Sequence, residues 1–174
     1  DKSTGDVPAR LVVTGYRGPV GGRIIERVAA HPEVVLCMAA HGRERAPGIV
    51  GSITDAVVHA LSQPVVLVGP GALLGEFNPG GPVLSAGAET DRLRAAAESW
   101  AWQFGSSVQH CPLDAALQTA SRLGASVIAM AMPHPGRIER LLHGSKVVGL
   151  IHDAPCPVLA VGANVVTVAP PKSG

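Results

Sequence analysis

Apolar positions in this chain come in two arrangements that alternate along it. Residues 34–38 (VVLCM) and 64–68 (PVVLV) are short unbroken runs rich in β-branched side chains. Between them Ile53, Val57, Val58 and Leu61 recur at helical spacing. Unalternated apolar runs suit parallel strands buried on both faces, and the spacing of three and four gives one face of a helix. The same reading predicts a strand at residues 11–14, a glycine-rich turn at 15–22 and a helix led by Val20, Ile24, Ile25 and Val28 that stops near His31-Pro32. Further on it predicts a strand at 83–86 and a helix capped by Thr90, with Leu93, Ala97, Trp100 and Phe104 on one face. A short strand at 106–109 follows, then a helix faced by Leu113, Ala116, Leu117 and Ala120 that ends at Gly124.

One block of this pattern occurs twice. Gly51 returns as Gly144, Ser52 as Ser145, Pro64 as Pro157 and Gly69 as Gly162, each 93 positions on. Before the intervening loop the offset is 92, so that Met38 matches Met130 and Ala39 matches Ala131. Each copy reads strand, polar loop, Gly-Ser, helix, strand. Two copies of such a unit imply two related halves rather than a solenoid. The expected fold class is α/β, a parallel sheet flanked by helices. The expected division is 1–70, a linker at 71–81 dominated by Gly and Pro, a second half at 82–165 and a flexible tail at 166–174.

Composition narrows the function. The 174 residues are 47% hydrophobic but only 16% charged, with a net charge of +1, so no basic footprint suggests nucleic acid. Aromatics make up 3%, which removes base-stacking platforms as well. No apolar run approaches membrane-spanning length. Cys37, Cys111 and Cys156 form no CxxC pair and read as buried small apolar side chains of a reducing compartment. The seven histidines show no metal-ligand spacing, so no metal is expected. No G-x-S-x-G nucleophile motif and no assignable Ser, His and Asp set is present, so the chain is not expected to be an enzyme. The Gly15, Gly18, Gly21, Gly22 series misses the dinucleotide spacing, and Lys146 after Gly144-Ser145 lacks the phosphate-loop pattern.

The second copy, with Asp153-Ala154-Pro155-Cys156-Pro157-Val158-Leu159 leading its last strand, resembles the C-terminal part of universal stress protein domains. The first copy adds His41-Gly42-Arg43 and Gly51-Ser52. The chain is similar to a tandem form of that family over about residues 10–70 and 82–163. The resemblance implies a Rossmann-like fold of the adenine-nucleotide alpha-hydrolase type. It also implies binding of ATP, AMP or cyclic AMP in many members, and pairing of subunits through the last strand. By the same resemblance the phosphates lie over the loop and the Gly-Ser helix start. Candidate ligand residues are therefore His41, Gly42, Arg43, Gly51 and Ser52, with Gly144 and Ser145 in the second copy. Glycine lets backbone N–H groups approach phosphate, and a helix start adds free donors and partial positive charge. A serine at that place also serves simply as a helix cap.

Both copies depart from the pattern. Ala39 replaces the first loop glycine and Pro47 removes a donor; Ala131 and His134 replace both glycines in the second copy, with Pro133 and Pro135 beside them. The strand at 83–86 runs into Gly87 and Ala88, where an Asp is usual in the family. Two functions follow as expectations. One is a cytoplasmic adenine-nucleotide-binding stress regulator with its site in the first half. The other is a degenerate, nucleotide-free member that serves as an interaction or regulatory subunit, as a homo-oligomer or with a protein partner.

Overall fold

The computed structural model describes residues 19–40, 52–74, 77–132 and 146–166. Helix α1 (Val20–Ala29) starts directly after Pro19, whose fixed φ suits a helix entrance. It ends two residues short of the expected stop, because His31 precedes Pro32 and is disfavoured from helical geometry. Strand β1 (Leu36–Ala39), helix α2 (Ser52–Ala60) and strand β2 (Val65–Val68) complete the first half. A 3-10 turn (Gly71–Leu73) leads away from β2. Docked contacts then fix the end of the expected linker: the Asn78 side-chain amide donates to the Gly124 carbonyl at 3.0 Å.

The second half holds β3 (Val83–Ala86), α3 (Asp91–Gln103), β4 (Val108–Cys111), a 3-10 turn (Leu113–Ala115), α4 (Ala116–Leu123), β5 (Val127–Ala131), α5 (Lys146–Asp153) and β6 (Val158–Val161). Thr90 caps α3 as expected, its hydroxyl accepting from the Leu93 N–H at 3.2 Å. Gly124 takes the left-handed conformation, φ 59°, that ends α4. Strand β4 begins two residues later than expected. Gly105, at φ 61°, and Ser106, whose N–H donates to Ala101 at 2.8 Å, belong to the close of α3.

The six strands form one sheet in the order β1-β2-β6-β5-β3-β4. All pairings are parallel except that of β2 with β6, which is antiparallel. That junction has a definite symmetry. Val66 lies opposite Leu159, its own counterpart in the repeat, while Val65 faces Ala160 and Leu67 faces Val158. A local twofold axis therefore passes between Val66 and Leu159, the arrangement of an isologous interface. The backbone contacts beyond the strands obey the same axis. A Cβ on Gly69 would fall closer than 3.0 Å to the Ile151 carbonyl, and one on Gly162 equally close to that of Val58. Ile151 and Val58 are themselves 93 positions apart.

Helices cover the two faces unequally. One apolar layer holds α1, α2, α4 and α5, with Val28, Val57, Leu61, Ile128, Met130 and Ile151 in it. Among the described residues the opposite layer holds α3 alone, with Leu93, Ala97 and Ala101 set against Val127, Ala129 and Leu159. Two expectations need correction here. Strand β1 is not buried on both faces but alternates half-buried and exposed positions. Cys37 on it is exposed, while Cys111 and Cys156 are buried as expected. The cause is shared: no described helix lies over that face of β1. Among the described residues no helix is long and apolar enough to cross a membrane.

Candidate functional site

In an open α/β sheet the place for a ligand is outside the carboxyl ends of the strands, where successive connections turn in opposite directions. Here β3 connects outward to β4 through α3, and β4 returns past β3 to β5 through α4 on the other face. The switch lies between β3 and β5. Beside it, at the ends of β5 and β6 and the start of α3, a crevice of about 140 Å³ opens, lined by Thr90, Arg92, Ala131, Met132, Val161 and Gly162 with Ala163.

Its electrostatics are balanced. The Arg92 guanidinium reaches across the mouth and donates to the Ala163 carbonyl. Arg94 pairs with Asp91 and lies 3.9 Å from Glu89. Two carboxylates and two guanidiniums thus share the start of α3, and the protein's own acids take up the partial charge that a helix N-terminus offers an anion. No carboxylate stands at the end of β3, where Ala86 is followed by Gly87 at φ 93°. The crevice is smaller than the roughly 300–1,000 Å³ typical of small-molecule sites.

Of the residues expected to hold ligand, Ser52 opens α2. His41, Gly42, Arg43, Gly51, Gly144 and Ser145 lie outside the described residues. What the sheet does establish is where their loops leave it. The chain departs from β1 at Ala39 and from β5 at Ala131, and those strands run in opposite directions across the β2–β6 junction. The two loops therefore start from opposite ends of the strands. Sequence reading missed Thr90 and Arg92 as crevice residues. Thr90 was legible only as a helix cap, and nothing in a lone Arg after Asp91 marks a reach to residue 163.

Burial raises the thiol pKa of Cys111, helped by nearby Asp114, and pushes that of Cys156 up to about 12. Both shifts favour the thiol over the nucleophilic thiolate. No group of three His, Cys, Asp or Glu residues that could hold a metal ion exists among the described residues.

No protein-family model and no curated protein matches the chain. Solved structures do. A functionally unknown protein from Pseudomonas aeruginosa PAO1 superposes with a TM-score of 0.52 at 14% identity, over 85% of this chain and 69% of its own. A provisionally named universal stress protein from Pseudomonas aeruginosa UCBPP-PA14 gives a TM-score of 0.52 at 13% identity, over 85% of this chain and 70% of its own. At such identities the likeness is one of fold, and fold does not carry function. The chain is an α/β protein similar in fold to a universal stress protein.

Proposed function

We propose that the protein is a non-catalytic regulator of universal-stress type, an internal pseudo-dimer in which the first half alone takes adenine nucleotide. The supporting observation is the crevice of the second half. At about 140 Å³, with a balanced set of charges and no acid at the end of β3, it suits a few waters better than ATP, AMP or cyclic AMP. The first half retains His41-Gly42-Arg43 and Gly51-Ser52, the better phosphate loop by residue type. Equilibrium dialysis of the whole chain with labelled ATP, AMP and cyclic AMP tests this. The expected result is one equivalent of nucleotide per chain, lost in Arg43→Ala and in Gly51→Val. Two equivalents, or none below about 1 mM (roughly 4 kcal/mol of binding), would overturn it.

A second reading, an interaction subunit that binds no nucleotide, is favoured by one observation. The last strands, through which subunits of the family pair, have both edges occupied within this chain. Among the described strands the outer ones are β1 and β4, and their edges are places for another polypeptide.

A further inference from the structure

The repeat supplies a template for a surface that the described residues leave open. On β5, Val127, Ala129 and Ala131 face α3; Val127 is 0% exposed. Their counterparts 92 positions earlier are Val35, Cys37 and Ala39, and all three are exposed, Val35 at 62%. The residue types match across the copies: Val for Val, Cys for Ala, Ala for Ala. Small and β-branched apolar side chains thus stand at positions that no described helix covers. The surface is also continuous with an interface already built. The apolar layer beneath α3 runs through Leu159 across the junction to Val66 on β2, which is 5% exposed. Beyond Val66 the same layer emerges at Cys37.

We propose that this face of β1 is the docking site for an amphipathic helix of a partner polypeptide. Its contact stripe would be small and apolar at four-residue spacing, like Leu93, Ala97 and Ala101 of α3. The pseudo-twofold axis carries α3 onto that position, so the occupant has the shape of a helix the protein already packs. A helix laid in an apolar groove by such anchors is a common recognition mode. The inference rests on the second reading, in which the chain serves a partner.

The test uses the whole chain and a fluorescent peptide of residues 88–105. The peptide is held helical by an Arg94→Lys lactam bridge to Glu98, both exposed positions on α3. Saturable anisotropy with a dissociation constant on the order of 100 µM is expected, weakened roughly tenfold by Val35→Glu or Ala39→Glu. Val108→Glu, on the far edge strand, leaves it unchanged, and saturating peptide slows alkylation of Cys37. Absence of saturable binding up to about 1 mM overturns the surface. So does slow Cys37 alkylation in the chain alone at low concentration, which would place the chain's own residues there. Protection that grows with protein concentration, with doubling of mass, assigns the face to a second copy and also overturns it. Peptide binding without any cellular partner removes the second reading and keeps the surface; failed binding removes the surface only.

Discussion

Gly69 and Gly162 show what a single hydrogen in place of a methyl does at a symmetric junction. Each admits a carbonyl of the opposite half, from Ile151 and Val58 respectively, closer than any Cβ tolerates. Both lie where the sequence suggested the end of a repeat but gave no hint of a cross-half contact. Gly69→Ala and Gly162→Ala should each destabilise by about 2–3 kcal/mol, since backbone rather than a flexible side chain must move. Gly149 is the internal control. It sits in α5 with nothing within 4 Å of an added Cβ. Its counterpart in α2 is already Ala56. Gly149→Ala should therefore stabilise by about 0.5–1 kcal/mol. Urea midpoints at constant slope separate the two outcomes. The cysteines give a second prediction at this scale. Cys156 has its pKa raised from 9.0 to about 12 by burial, so the folded chain keeps a proton that the unfolded chain loses first. Stability is then level below pH about 9 and falls as pH rises from there toward 12; Cys156→Ala removes that part of the fall. A linear urea titration at pH about 7, 9 and 10 measures it. Exposure of Cys37, against the burial of the other two thiols, was not legible, because a cysteine inside an apolar run reads alike whether or not a helix lies above it.

Elements were legible where local chemistry decides them. Thr90 and Gly124 mark helix ends by mechanisms that need no tertiary context, and both operate as read. Strand starts were less so. At β4 the chain first closes α3 through Gly105 and Ser106, whose hydroxyl also donates to the Gly81 carbonyl at 2.6 Å. That long-range bond has no local signature. The Thr90 cap yields a prediction proper to α3: Thr90→Ala should cost about 1 kcal/mol, and Thr90→Asp should recover most of it. Because α3 is the only described helix on its face, the loss should also raise amide exchange in β3 and β5 beneath it. A cost without local exchange would mean the cap acts on the whole fold rather than on α3. The ligand loops were legible as motifs alone. Residue types say that His41-Gly42-Arg43 and Gly51-Ser52 suit phosphate, but only the sheet says that the first-half and second-half loops begin at opposite strand ends.

At the scale of the molecule, the two copies of the repeated sequence end in β2 and β6, and the register of their junction says how those strands meet. Val66 opposes Leu159, and the pairs on either side exchange under the same axis. An interface between equivalent surfaces is one that either half presents to a copy of itself. The second half can therefore be asked to make it alone. Expressed as residues 82–166, it would leave β6, an apolar row at Val158–Val161, as an edge strand whose backbone has lost its β2 partner. Such an edge pairs with whatever complementary strand is at hand. The complement available is another β6, antiparallel and centred on Leu159 facing Leu159. In that dimer each Gly162 would admit the helix-end carbonyl of the other copy's Ile151, as Gly69 does in the intact chain. The fragment should run at twice its own mass by light scattering, and Leu159→Asp should reduce it to monomer or unfold it. The full chain, whose last strands satisfy each other, should not form this dimer. A stable monomeric fragment would show that the antiparallel junction arises from the covalent link between the halves rather than from their complementary surfaces, and the pseudo-twofold axis would then be a consequence of tethering rather than its basis.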